Sequence, residues 1–345
     1  MKISVIVPCR NEELYIREFM HSVLSQRLES DWELEVLIAD GMSDDGTREM
    51  LRQYRQVRLI DNPRGIVSTG LNSSIRASAG EIIIRMDVHT TYAPDYIREC
   101  VRVLKQSGAS NVGGPWVAKG RGVVGAAIAA TFQSRFCTGA GRSHNPSYEG
   151  EVDTVYLGCW PRSVFDHTGQ FDEELVRNQD DEFNLRLRRL GGRIWQSPRI
   201  QSFYSVRGSL STLFRQYVQY GFWKVAVIRK HRTIDSWRHL CPAILVGSIL
   251  LSLLVLTLAA MAGLSNVTFV VGIALAAALA VYMLACLFSV VPFTGSIAPR
   301  ALLIMPFVIP VYHFAYGIGF IVAMLALVTR APNTSQSSYF TTLTR

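Results

Sequence analysis

Lys2-Ile3-Ser4-Val5-Ile6-Val7-Pro8-Cys9-Arg10-Asn11-Glu12-Glu13 is the stretch that decides the fold. Its apolar run is too short for a secretory signal and meets Arg10, Glu12 and Glu13 at once, so it reads as a buried first strand with a polar loop at its carboxyl end. Three further strand-like runs lie near 35–39, 57–60 and 81–86, and helical patterns follow at 12–25, 47–54 and 67–78. Short β-rich runs alternating with helices imply βαβ units and a parallel sheet, whose ligands bind beyond the carboxyl ends of the strands. The fold class is therefore α/β, and the residues just after the strands carry the site.

Outward from this core the pattern changes twice. Residues 116–152 contain Gly and Ser with weak periodicity and read as an excursion holding one amphipathic helix near 123–136. Order resumes at 152–160, and a helix from about 180 to 190 stops at Gly191-Gly192. The six cysteines include no C-x-x-C pair, so neither a zinc site nor a disulfide framework is indicated.

The second change is one of solvent. The chain is 49% hydrophobic with a mean hydropathy of +0.20, and no Asp, Glu, Lys, Arg or His stands between Cys241 and Pro299. As one helix that run would be about 88 Å long, nearly three bilayer cores, so it must break, and Gly263-Leu264-Ser265-Asn266 is the natural turn. Three membrane spans are expected, near 242–262, 267–291 and 302–328. Just before them, residues 207–238 carry Arg207, Arg215, Lys224, Arg229, Lys230, Arg232 and Arg238 against Asp235 alone, interleaved with aromatic residues. Such a segment reads as an interfacial amphipathic helix on an anionic leaflet, not as a nucleic-acid site. The Arg and Lys asymmetry puts the amino-terminal domain in the cytoplasm and the carboxyl tail outside. The expected domains are 1–205, α/β; 206–240, interfacial; 241–329, transmembrane; and 330–345, a polar tail.

Three constellations can carry chemistry. Asp40 ends the second strand before Gly41-Met42-Ser43-Asp44-Asp45-Gly46-Thr47; a carboxylate there can accept from a ribose or a base, while the rest caps a helix. Asp87-Val88-His89 follows the fourth strand, and on an extended segment both side chains point the same way, as a pair sharing one divalent cation or as an ordinary strand-end pair. Asn178-Gln179-Asp180-Asp181-Glu182 opens a helix with more acid than its dipole needs, and one of these acids can act as a general base.

Taken in order, Val5-Ile6-Val7-Pro8-Cys9-Arg10-Asn11-Glu12, Asp40-Gly41 with Ser43, Asp45, Gly46 and Thr47, Gly70-Leu71-Asn72, Ala79-Gly80-Glu81 before Asp87 and His89, and Gly169 with Phe171-Asp172-Glu173 leading to Asp180 resemble the family-2 inverting glycosyltransferases of GT-A fold. Asp87-Val88-His89 and the stretch Tyr217 to Lys224 look most like the succinoglycan-type exopolysaccharide glucosyltransferases. The resemblance implies a GT-A, Rossmann-like nucleotide-binding domain followed by the interfacial helix and about three transmembrane helices, in a bacterial inner membrane with the catalytic domain cytoplasmic. It implies nucleotide binding by Pro8, Arg10, Glu12, Asp40, Asn72 and Asp87, a divalent metal, Mn2+ or Mg2+, at Asp87 and His89, and Asp180 as catalytic base, with Asp181 its rival. Arg215, Tyr217, Tyr220, Trp223 and Lys224 are expected at the acceptor's diphosphate. The expected partners are a UDP-sugar donor, a lipid-linked saccharide acceptor and membrane lipids. The expected reaction is inverting transfer of a hexose, most simply glucose, in exopolysaccharide assembly. A polyprenyl-phosphate sugar synthase, a processive polysaccharide synthase and a non-catalytic membrane scaffold are the alternatives. The family has a second acid where His89 stands, and Glu where Gln179 stands.

Overall fold

In the computed structural model, which describes residues 1–139, 141–329 and 337–341, the chain begins β1 (Lys2–Cys9), α1 (Glu13–Leu24), β2 (Glu33–Asp40), α2 (Thr47–Leu51), β3 (Val57–Asp61), α3 (Val67–Ala77), β4 (Ile82–Arg85), β5 (Thr90–Tyr92), α4 (Tyr96–Ser107) and β6 (Asn111–Gly114). It continues through β7 (Val117–Lys119), α5 (Gly122–Gln133), α6 (Arg135–Thr138), β8 (Gly150–Glu151), β9 (Tyr156–Pro161), α7 (Ser163–Thr168), α8 (Gln179–Arg189), β10 (Ile194–Gln196) and β11 (Ser202–Ser205). Helices α9 (Leu210–His231), α10 (Cys241–Met261), α11 (Ser265–Phe288), α12 (Pro299–Val328) and α13 (Ser338–Thr341) complete it. Two compact units result, Met1–Ala118 with Gly141–Ser205, and Lys119–Ala140 with Val206–Arg345.

The first unit is built on an eight-stranded sheet of order β3-β2-β1-β4-β9-β6-β10-β8. Ile3, Val5, Ile6 and Val7 of β1 are fully buried, as a strand covered on both faces must be, and β1 lies parallel to β2 and β4. β3 extends the parallel half, whereas β9 runs antiparallel between β4 and β6. Cys9 pairs with Asp40, Asp40 with Asp61, and Ile6 with Arg85, so the carboxyl ends of β1 to β4 open along one edge. A cluster of Trp160, Phe165, Phe171 and Phe183 fills the space beneath α7 and α8, with ring centroids 4.7 to 6.2 Å apart, and fixes where α8 begins.

The second unit corrects one expectation and adds to another. The excursion after residue 116 holds α5, an apolar rather than amphipathic helix, and residues 119–140 group with the carboxyl-terminal helices. Helix α9 does not lie alone on a leaflet: Leu213, Gln216, Val218, Gln219, Gly221, Phe222, Trp223, Lys224, Val225 and Val227 are buried, because it packs along α12. Two glycines permit this. A Cβ on Gly221 would strike the Tyr316 carbonyl, and one on Gly319 the Val218 carbonyl, so the backbones nearly touch. Helix α12 also receives α5, through Tyr312 Oη donating to the Ile128 carbonyl at 3.3 Å.

Helices of the length and apolarity of α10, α11 and α12 can each cross a membrane, within a few residues of the expected spans. Ile244, Leu251, Leu254, Val270, Val281 and Leu303 leave their surfaces exposed, as a lipid-facing helix does. His313, in α12, lies between Tyr282 Oη at 2.9 Å and the Cys137 carbonyl at 3.3 Å, an interhelical hydrogen-bond pair. Of the expected polar tail, only Ser337–Thr341 lies within the described residues. There Phe340 stacks on Phe222 with centroids 4.0 Å apart, and its carbonyl accepts from Trp223 Nε1 at 3.0 Å.

Candidate active site

The loops beyond β1 and β2 are stitched to one another. Asn11, at φ 54°, donates its backbone N–H to Ser43 Oγ at 2.8 Å and its amide to Asp44 at 2.7 Å, while Thr47 Oγ1 accepts from Glu12 N at 2.8 Å. Met42 at φ 57° and Asn178 at φ 61° share this left-handed conformation. The loop after β1, the loop after β2 and the start of α8, which carry candidate residues, each hold one such position.

Asp40 is fully buried, and its oxygens accept from Ser43 N at 3.1 Å, Ser43 Oγ at 2.5 Å and Arg48 Nη1 at 2.7 Å. Arg48 reaches on to Asp61 at 2.6 Å. Asp40 therefore anchors the turn in which Gly41 lies. Above it, the exposed Arg10 crosses Gly41 and Gly65 so closely that a Cβ on Gly65 would meet Arg10 Nη1 at 2.7 Å. Arg10 and the two glycines that leave it room form a shelf beyond the carboxyl end of β1.

Asn72 is buried: its Nδ2 donates to the Phe171 carbonyl at 2.8 Å and to Glu173 at 3.0 Å, and its Oδ1 accepts from Phe171 N at 2.9 Å. This amide pins the 171–173 loop to α3, with both of its N–H donors engaged.

Beyond β4 the backbone turns instead of staying extended, with the Asp87 carbonyl accepting from Thr90 N at 3.1 Å. Asp87 and His89 consequently have different neighbours. Asp87 is gripped by Arg85 in a fork, Nε to Oδ1 and Nη2 to Oδ2, both at 3.0 Å. His89 Nδ1 stands 3.7 Å from the buried Glu12 Oε1, and its ring meets Tyr204 edge-on at 5.4 Å. Among the described residues no three of His, Cys, Asp and Glu converge as a cation cage.

The third nitrogen of the fork, Arg85 Nη1, lies 3.8 Å from Asp180 Oδ2. Burial opposes the charge on Arg85, but Asp87 and then Asp180 outweigh it and hold the guanidinium more firmly protonated than usual. Asp180 itself keeps 43% of its side-chain surface open. The protein enclosing its other sides pushes its carboxyl above the usual carboxylate range; Arg85 counteracts this and Asp181 adds to it. Glu182, fully buried, instead grips Arg186 at 2.9 Å, and Arg186 also ties down the Thr168 and Gln170 carbonyls. Helix α8 thus commits Glu182 to a structural pair and leaves Asp180 and Asp181 half-buried.

Sequence reasoning missed Arg85 and the tyrosines around it. Tyr92 Oη accepts from Asp87 N at 2.6 Å and donates to the Asp87 carbonyl at 3.0 Å, while Tyr156 Oη bonds Thr90 Oγ1 at 2.6 Å. Burial first, and the nearby Asp87 second, raise both phenols well above their ordinary pKa, so they remain hydrogen-bonding groups. Trp116 stacks on Tyr156 at 5.0 Å and on His144 at 5.8 Å. The signal for Arg85 was a cation closing the apolar run Ile82-Ile83-Ile84, which inside a buried sheet demands an anionic partner.

The five residues expected at the acceptor all lie on α9 in the second unit. Trp223 and Lys224 are buried there. Tyr217 packs edge-on against Tyr312 at 4.3 Å and Tyr220 Oη accepts from Gln216 at 3.1 Å, while Arg215 lies over the Tyr339 ring at 5.3 Å.

The mixed sheet, with its parallel strands opening along one edge, is a GT-A-like fold. Two solved structures share the fold: the mannosyltransferase PcManGT from Pyrobaculum calidifontis in complex with GDP-Man and Mn2+ (TM-score 0.55, 17% identity, 96% of this chain and 87% of that one), and S. aureus TarS 1-349 in complex with UDP-GlcNAc (TM-score 0.52, 16%, 96% and 92%). Residues 4–158 match glycosyl transferase family 2. It is 28% identical over 244 residues to the succinoglycan biosynthesis protein ExoA of Rhizobium meliloti, spanning 69% of this chain and 73% of that protein. It is also 27% identical over 240 residues to a dolichyl N-acetyl-alpha-D-glucosaminyl phosphate 3-beta-D-2,3-diacetamido-2,3-dideoxy-beta-D-glucuronosyltransferase of Methanococcus voltae, spanning 66% and 74%.

Proposed function

We propose that this glycosyltransferase transfers a hexose, glucose in the first instance, with inversion from a UDP-sugar to a polyprenyl-diphosphate-linked saccharide in exopolysaccharide assembly. The observation that carries it is the pair of carboxylates, Asp87 and Asp180, on different edges of one guanidinium beyond the carboxyl ends of the parallel strands. Asp180, the open one, removes a proton from an acceptor hydroxyl. That oxygen then attacks the anomeric carbon on the face opposite the diphosphate, whose C–O bond breaks with its electron pair leaving on UDP. Pro8, Arg10 and the glycine shelf hold the uridine, with Asp40 and Glu12 supporting the shelf from beneath.

The donor set fits a divalent ion that arrives with the nucleotide, since such ions take only one or two protein ligands besides phosphate oxygens. Asp87 and His89 would hold it, and Mn2+ or Mg2+ there would stabilise charge on the departing diphosphate. On α9, Arg215, Tyr217 and Tyr220 serve the acceptor's diphosphate, and the exposed Arg229 and Lys230 the headgroups. The buried Trp223 and Lys224 hold α9 in shape. Support for a hydroxyl acceptor comes from the two relatives, one named for succinoglycan biosynthesis and the other for transfer to a lipid-phosphate-linked sugar. The setting is a bacterial inner membrane with the amino-terminal unit cytoplasmic.

The test is product analysis with purified protein, a panel of UDP-sugars and either polyprenyl phosphate or a lipid-linked saccharide. A β-linked extension of the saccharide with release of UDP is expected, abolished by EDTA and restored by Mn2+ or Mg2+. A product on bare polyprenyl phosphate would replace this reading with a polyprenyl-phosphate sugar synthase.

A further inference from the structure

We propose that Arg85 is a positioning residue that acts on both sides of the reaction, aiming Asp87 at the donor and Asp180 at the acceptor with one rigid fork; this rests on the transferase reading above. Arg85 ends β4 opposite Ile6 of β1, a strand buried on both faces, so its backbone has no freedom to wander. From there the planar guanidinium gives two nitrogens to Asp87 and turns the third toward Asp180. Only 8% of its side chain and 11% of that of Asp87 reach solvent, so water competes weakly for the fork.

This arrangement is more than a salt bridge that happens to be buried. A cation needed only to neutralise Asp87 could be satisfied by any ammonium, whereas one charge placed between two carboxylates from β4 and α8 fixes their separation. Asp180 also accepts from Asp181 N, at 2.9 Å from Oδ1, a bond within its own helix. Arg85 thus ties the acid of α8 to the strand whose end carries Asp87. Lysine at position 85 would keep the charge but lose the two-pronged geometry.

The experiment compares Arg85→Lys and Arg85→Ala with the native protein in detergent. It measures kcat and both KM values, UDP binding by calorimetry in the absence of turnover, and melting temperature. For Arg85→Lys a folded protein is expected, with kcat lowered roughly 10²-fold, as for a reacting group displaced by about an ångström. UDP binding should weaken several-fold and acceptor KM should change little. Guanidinium or methylguanidinium should restore part of the activity of Arg85→Ala and none to Arg85→Lys, whose side chain fills the site. Arg85→Lys with native kcat, or with loss of activity that only tracks loss of folded protein, overturns the proposal. If Arg85→Ala does not fold, Arg85→Lys alone decides through its kcat. Failure of the native protein to release UDP from any sugar donor would instead sink the transferase reading itself, and calorimetry on the same samples tells that case apart.

Discussion

Asp180 combines an open carboxylate face with an enclosure that raises its pKa, two properties that a base working near neutrality needs together. Because the base must be ionised to accept a proton, kcat is expected to fall as pH drops through an apparent value above the ordinary carboxylate 3.8, and to level off above it. A rate profile in which kcat is flat down to pH 4 would exclude Asp180. Asp180→Asn is expected to retain UDP-sugar binding by calorimetry while kcat falls by roughly 10² to 10⁴. Asn72 makes the opposite prediction. Asn72→Ala leaves the Phe171 N–H and carbonyl unpaired in a buried loop, so a loss of stability of about 1–3 kcal/mol is expected in denaturant unfolding. Its KM for UDP-sugar should hold, and a rise in that KM alone would place Asn72 at the nucleotide. Asp87 and Asp180 were legible because each stands at an element boundary in a local pattern. Arg85 was not, since what makes it matter is a contact across 95 positions of chain that no local pattern records.

At the level of elements, hydrophobic periodicity brought out most of the sheet, because strands buried on both faces have little else in their composition. It read only part of α9. Seven cations in 207–238 look like a helix floating on a charged surface, yet the glycines that let α12 approach it are ordinary letters when read singly. Gly221→Leu or Gly319→Val should force the two backbones apart. The expected loss is about 1–3 kcal/mol, seen as a lower melting temperature in detergent, with the first unit's UDP affinity intact. Unchanged melting of both variants would mean that the close approach does not exist in the folded protein. The apolar α5 was misread for a related reason: a helix meant to meet other apolar helices needs no polar face, so its expected two-sided pattern never forms.

At the scale of the whole molecule, three spans were readable from a run without charge, but length and apolarity say nothing of depth. In the second unit, a Cβ on Gly317 would meet the Pro242 carbonyl, and one on Gly247 would meet Ile321 at 3.9 Å, so α12 and α10 advance side by side in the same direction. Matched in this way, α12 stops at Val328 while α10 runs on for about seven more residues to Met261, about 10 Å. Beyond α12, Phe340 comes to rest on Phe222 and Trp223, halfway along a helix that precedes the first span. If α10, α11 and α12 each cross the membrane completely, reporters fused before Met1 and after Arg345 should be active on opposite sides of it; activity of both on one side would show that one of the three helices does not traverse.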